Sequence, residues 1–189
     1  MSLPSIDPLA LFNIKGQSAV VIGATGAFGQ VVCATLGKSG ARLTIAAGNA
    51  ETLDELATEL SLEDIEATQV ARRPNTEADC DAIVAAAVEA YGGIDILVIA
   101  SGMNDISPIE DMEPERFQKV MLANVEGAWL IARSVGRQMI AQGRGGKVVI
   151  TSSARGKLGH PAGYSAYCTS KAATDGMTKA LGCEWGKYN

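Results

Sequence analysis

The chain has 189 residues, 47% of them hydrophobic and 20% charged, which is enough for one domain with a sizeable core. Its net charge of −5 argues against a broad nucleic-acid surface, because phosphate binding needs clustered Lys and Arg. No apolar run approaches a membrane span. The N-terminus MSLPSIDPLALF lacks the basic start and long apolar stretch of a secretory signal, so a cytoplasmic protein is expected; Met1-Ser2-Leu3 reads as an expression scar.

Strand-like and helix-like segments alternate along the chain. Ser18 to Ile22 is a short β-branched run that ends in a glycine-rich turn. Gly26 to Lys38 reads as a helix, and Arg42 to Ala47 as a second strand. Ala50 to Leu60 carries Leu53, Leu56, Ala57 and Leu60 at helical spacing. Glu66 to Val70 is a third strand, and Glu77 to Tyr91 an alanine-rich helix closed by Gly92-Gly93. Ile94 to Ala100 is an apolar strand of the kind found inside a parallel sheet. Pro114 to Gln142 reads as one long helix, Lys147 to Thr151 as a fifth strand, and Tyr164 to Trp185 as a last helix. This alternation predicts right-handed crossovers and an α/β fold: a doubly wound parallel sheet of the Rossmann type, in a single domain. The sequence stops just after a helix, with no strand following, which predicts a further C-terminal part beyond Asn189.

Cys33, Cys80, Cys168 and Cys183 form no C-x-x-C pair, and His160 is the one histidine, so no zinc site is expected. Cys168 and Cys183 lie fifteen positions apart in one predicted helix, or about 22 Å along it, too far for a disulfide. Free cysteines are expected.

The segment Gly23-Ala24-Thr25-Gly26-Ala27-Phe28-Gly29 joins the first strand to the first helix. Glycine there lets the backbone turn sharply and approach a pyrophosphate, and the helix start offers free N–H groups and a positive dipole end. Cofactor choice is read at the end of the second strand, where an acid would hold ribose hydroxyls and a base would favour the phosphate of NADP. This chain offers Ala47-Gly48-Asn49, which is neither. Nothing there repels a phosphate, and Arg72 and Arg73 follow the third strand, so NADP is favoured over NAD; the alternative is that both arginines are merely solvated.

Tyr167-Cys168-Thr169-Ser170-Lys171 places a phenol and an ammonium on one helix face, at i and i+4. A cation beside a phenol favours the phenolate, which suits a general acid/base near neutral pH. Ser152-Ser153 ends the fifth strand, on the side where a doubly wound sheet binds ligands. Asn124 sits inside the long helical pattern, where asparagine is unfavourable; either it is an exposed residue of no consequence, or its amide holds a water that relays protons. His160 is read as a solvated loop residue, and Trp129 as part of a packed or oligomeric face.

From about Ser18 to Trp185 the chain resembles the short-chain dehydrogenases/reductases, most specifically in VVITSSARGKLGHPAGYSAYCTSK, Val148 to Lys171. The resemblance implies hydride transfer between a nicotinamide, NAD or NADP, and a small-molecule carbonyl or secondary alcohol. It implies Ser153 as the catalytic serine, Tyr167 as acid/base, Lys171 as its partner and a ribose ligand, and Asn124 as the fourth member. Gly23, Thr25, Gly26, Phe28, Gly29, Gly48, Asn49, Arg73, Ala100 and Gly102 would join Tyr167 and Lys171 around the cofactor. A homodimer or homotetramer is implied in the same way. Four features depart from the family pattern. The glycine spacing G-x-x-G-x-x-G looks like the branch that includes epimerases and dehydratases, with Ala27 where a glycine is commoner. Ser153 and Tyr167 are fourteen apart, one more than usual, so Ser152 competes for the serine role. Ile99-Ala100-Ser101-Gly102 replaces Asn-Asn-Ala-Gly, and Arg73 stands near the usual aspartate. An epimerase or dehydratase with retained cofactor, or a dinucleotide-binding sensor without catalysis, are the alternatives.

Overall fold

The computed structural model describes residues 8–189; Met1-Ser2-Leu3 and the start of the segment read for a secretory signal lie outside the described residues. Strands β1 (Ser18–Ile22), β2 (Arg42–Ala46), β3 (Ala67–Val70), β4 (Ile96–Ile99) and β5 (Lys147–Ile150) form one parallel sheet in the order β3-β2-β1-β4-β5. Helices α1 (Ala27–Lys38), α2 (Ala50–Leu62), α3 (Glu77–Tyr91), α4 (Pro114–Met121), α5 (Gly127–Gln142) and α6 (Ser165–Trp185) cover it. From β1 the chain builds outward to β3, then returns to lay β4 on the other side of β1. The strand order therefore reverses between β1 and β4, and a crevice opens beyond their C-terminal ends.

Each residue of β1 and β4 is buried, as near-continuous apolar runs require. Alternate side chains serve opposite faces. Ala19 and Val21 join Leu43 and Ile45 of β2 against Cys33 of α1 and Leu53, Leu56 and Leu60 of α2. Val20 and Ile22 join Leu97 and Ile99 of β4 against Cys80, Ile83 and Ala87 of α3 and Ile131 and Val135 of α5. The helix starts are capped locally: Asn49 Oδ1 accepts from Thr52 N–H at α2, and Thr76 Oγ1 accepts from Asp79 N–H at α3.

The long helix expected over Pro114 to Gln142 is interrupted. Between α4 and α5, Leu122–Glu126 forms a π-helical turn, in which Gly127 N–H reaches back five residues to Leu122 O. The cause is Asn124, whose buried side chain is tied to groups outside the helix. All four cysteines are free, as expected. Burial pushes the Cys33 thiol up to about 12 and Cys80 up to about 11. No described helix is long and apolar enough to cross a membrane.

Candidate active site

Two cavities lie at the C-terminal ends of the strands, and they share Ala100, Ser101, Gly102 and Met103, the segment that follows β4. The first, of about 560 Å³, runs over the ends of β1, β2 and β3; Gly23, Thr25, Gly26, Gly48, Arg72, Arg73 and Lys119 line it. The second, of about 570 Å³, is lined by Phe28, Asn104, Thr151, Ser152, Tyr167 and Lys171 besides the shared segment.

The glycines of the β1–α1 turn are needed by the packing. Gly23 has φ +77°, and a Cβ on it would stand 2.7 Å from the Ser101 backbone. A Cβ on Gly29 would collide with Gly23 O and come within 2.8 Å of Ala24 O, so α1 lies directly on the turn. Gly23 and Ala24 donate their N–H groups to Ala46 O at 2.8 and 3.2 Å, which fixes the turn against β2. The result is a side-chain-free backbone turn at the start of a helix, the kind of setting that offers N–H groups to an anion.

At the other end of the groove, α6 brings Tyr167 and Lys171 to one cavity. Lys171 is 4% exposed, and its ammonium donates to Thr151 O at 2.9 Å. Its Nζ lies 5.8 Å from the Tyr167 ring centroid. Burial holds the Lys171 pKa below the ordinary lysine value, with Asp175 opposing that in part. A Cβ at Gly102 would stand 3.5 Å from Lys171 Nζ and 3.3 Å from Asn124 Oδ1, so the bare glycine leaves both polar atoms uncrowded by a side chain.

Asn124 is 2% exposed, and of the two readings left open for it the inconsequential exposed one is excluded. Its Nδ2 donates to Met103 O (2.8 Å) and Ser170 Oγ (2.9 Å), and its Oδ1 accepts from Met103 N–H (2.7 Å). Both amide protons are spent, leaving one lone pair of Oδ1 for a water. Asn124 therefore fastens the segment after β4 to α6.

The two serines differ in their partners. Ser152 lines the cavity, and its hydroxyl donates to Lys171 O at 3.4 Å. Ser153 does not line it; its Oγ accepts from Arg155 N–H at 3.2 Å, which leaves the Ser153 proton free to donate. Among the other expected residues, Gly29 and Asn49 stay outside both cavities, one packing α1 and the other capping α2. His160 is not simply solvated: it is half-buried, its Nδ1 accepts from Ala162 N–H, and its ring packs 4.5 Å from Tyr164, which meets Tyr167 edge-on at 6.3 Å. Ser101, Met103, Asn104, Pro74, Lys119 and Leu122 also line the cavities and escaped the sequence reading. The first three directly follow β4, and their position past a strand C-terminus was the signal available.

The short chain dehydrogenase family model matches residues 17–189. The chain belongs to this family. It is 48% identical to an uncharacterized oxidoreductase of Mycobacterium tuberculosis, over 95% of this chain and 66% of that protein. It is 31% identical to gluconate 5-dehydrogenase of Gluconobacter oxydans, over 94% of this chain and 69% of that protein. The chain thus spans about two thirds of the length of these relatives. Among solved structures, a short-chain type dehydrogenase/reductase from Mycobacterium marinum superposes with a TM-score of 0.93 at 30% identity, over 97% of this chain and 74% of that one. An NAD+-bound xylitol dehydrogenase superposes with 0.89 at 29% identity, over 93% and 67%. A gluconate 5-dehydrogenase from Burkholderia cenocepacia, in complex with NADP and tartrate, gives 0.88 at 27% identity, over 94% and 69%.

Proposed function

We propose that this chain carries the dinucleotide groove and proton-transfer residues of an oxidoreductase that moves a hydride between a nicotinamide and a carbonyl or secondary alcohol carbon. The observation that carries the reading is the shared wall of the two cavities: the groove over Gly23 leads along Ala100–Met103 directly to Tyr167 and Lys171. When bound, the nicotinamide supplies or accepts the hydride. The protein binds, orients and handles the proton.

In the reductive direction Tyr167 protonates the substrate oxygen, and a serine at the end of β5 donates to that oxygen as negative charge builds on it: Ser152, which lines the cavity, or Ser153, whose hydroxyl proton is free. The Lys171 ammonium supports the phenolate left on Tyr167, and its two remaining N–H donors serve the ribose and a water. Asn124 Oδ1 holds that water beside Gly102, so the proton is replaced from solvent. Thr25, Gly26, Phe28, Gly48, Ala100 and Gly102 flank the dinucleotide, while Gly29 and Asn49 hold the turns that carry it. NADP is the preferred cofactor, because no acid ends β2.

The substrate is a small polyhydroxy compound, a polyol or sugar acid. The similarity to proteins named for xylitol and gluconate supports this class, and so do Arg155 and Lys157 in the loop after Ser153. Trp129, 50% exposed on α5, supports pairing into a homodimer or homotetramer; a monomeric mass in sedimentation would end that reading.

Tyr167→Phe is expected to lower kcat about 10²–10⁴-fold while leaving the dinucleotide Kd within about twofold. Near-normal turnover in this variant removes Tyr167 from the chemistry. Tight dinucleotide binding by the unaltered protein, with no turnover across polyols, sugar acids and simple ketones, would favour the sensor reading instead.

A further inference from the structure

A third cavity, of about 680 Å³, lies at the opposite end of the sheet, where the chain enters β1, β2, β4 and β5. The five residues of β1 put roughly 17 Å between it and the glycine turn. Its lining is charged in one sense. Lys15, Arg42, Arg144 and Lys147 supply four cations, and Asp95 is the one carboxylate side chain among the described residues there. The whole chain has the reverse balance, with 21 acids against 16 bases.

Asp95 does not neutralise this group. One of its oxygens accepts from Ser18 N–H at 2.9 Å and the other from Arg144 Nε at 2.7 Å, so its direct ion pair is with Arg144 alone. The other three cations have no carboxylate at ion-pair distance among the described residues. Arg42 Nη2 donates to Gly16 O at 3.0 Å, and Lys147 Nζ to Asn189 O at 3.4 Å. Like charges gathered this way repel one another, and a negative ligand relieves that repulsion.

Arg42 is the fixed part of the arrangement. Its guanidinium lies 5.1 Å from the centroid of the Tyr91 ring, and Tyr91 is itself buried, with its hydroxyl donating to Leu43 O at 3.0 Å. A guanidinium held over an aromatic face keeps its fork in one plane. Arg42 Nε is nevertheless buried without a hydrogen-bond partner among the described residues. A buried charged donor left unmatched is costly, and negative charge brought against the same guanidinium offsets that cost.

We propose that this cavity is a second ligand site, separate from the dinucleotide groove, that takes a small multivalent anion. Its occupant carries two or more negative charges on carboxylate or phosphate oxygens, held by the Arg42 fork and by the Lys15 and Lys147 ammonium groups. The site joins the starts of three strands to the segment before β1, so its occupant stabilises the folded chain without touching the reacting groups.

The test is calorimetry and thermal unfolding with citrate and with pyrophosphate, each against sodium chloride at equal ionic strength. The glycine turn also offers N–H groups to pyrophosphate, so the titrations are repeated with saturating NADH or NADPH. Either anion at about a hundred times its Kd should raise Tm by about 5–10 °C beyond sodium chloride. Lys15→Gln and Lys147→Gln, at exposed positions, should each weaken binding about two- to fivefold. Arg42→Gln should weaken it about tenfold or more. Lys179→Gln, on the exposed part of α6, should change nothing. Tighter citrate assigns a polycarboxylate, and tighter pyrophosphate a phosphate compound. No shift beyond sodium chloride overturns the proposal, and so does binding that survives the Lys15→Gln/Lys147→Gln double variant unchanged. The double variant keeps the test decisive where Arg42→Gln fails to fold, and neither result bears on dinucleotide binding.

Discussion

The two ends of the sheet are built from the same strands and use their polar groups differently. At the N-terminal ends, Asp95 takes Ser18 N–H on one carboxylate oxygen (2.9 Å) and Arg144 Nε on the other (2.7 Å). Gln142 closes the start of β4 by bonding both the N–H and the C=O of Ile94. These groups are spent on each other, whereas Ser18 Oγ and Arg42 Nε at the starts of β1 and β2 are buried without a hydrogen-bond partner among the described residues. At the C-terminal ends Lys171 and Asn124 are engaged as well, but the Arg73 guanidinium and the Ser153 proton have no partner among the described residues. A parallel sheet directs its strand C-termini and helix N-termini to the same side, so donors left open there face a ligand. On the proposed function, the braced end secures the fold and the open end receives the reacting small molecules.

Substitutions should keep these ends distinct. Gly23→Ala should act most strongly, since its Cβ meets the Ser101 backbone and its φ lies in the left-handed region. Overpacking of about 1–3 kcal/mol and a backbone penalty of about 1–2 kcal/mol add there, and dinucleotide binding should fall with stability. Titration together with thermal unfolding checks this; full affinity would mean that the turn has slack. Asp95→Ala should lower stability by about 1–3 kcal/mol, because it orphans the buried Ser18 N–H, and should leave dinucleotide affinity unchanged. Lost affinity in that variant would show the two ends to be coupled.

The smallest effect is one of pH. Burial pushes the Asp95 carboxyl up, but the bonds from Arg144 and Ser18 outweigh it and hold the pKa below the ordinary value. A carboxyl with a depressed folded pKa stabilises the protein above its unfolded pKa, and that contribution disappears as pH falls through the folded one. The stability gap between the unaltered protein and Asp95→Ala should therefore be widest near neutrality and narrow below about pH 4. A gap that stays constant down to pH 3 would assign Asp95 a role in packing alone.

Much of this was legible in the residues. The bounds of β1 and α3 follow directly from the β-branched run and the alanine-rich pattern, and the i, i+4 spacing of Tyr167 and Lys171 needs only helical geometry. What was hidden depends on side chains meeting across the chain. The π-helical turn at Asn124 is set by Met103 and Ser170, 21 and 46 positions away, and periodicity within a helix carries no trace of them. The different engagement of Ser152 and Ser153 is set by Lys171 and by the short turn at Ala154–Gly156. Arg73 and Gly48 meet in the same way, since a Cβ on Gly48 would collide with Arg73 Nε.

The buried cysteines give the molecule two internal clocks. Cys33 sits under α1 on one face of the sheet and Cys80 under α3 on the other, each with its thiol held protonated and out of reach. Neither sulfur can be alkylated until its own helix lifts, so the two labelling rates time the opening of the two faces separately. Because α1 begins at the glycine turn and α3 does not, a bound dinucleotide should slow the Cys33 clock more than the Cys80 clock. Ligand occupancy then becomes readable by mass spectrometry, without a substrate.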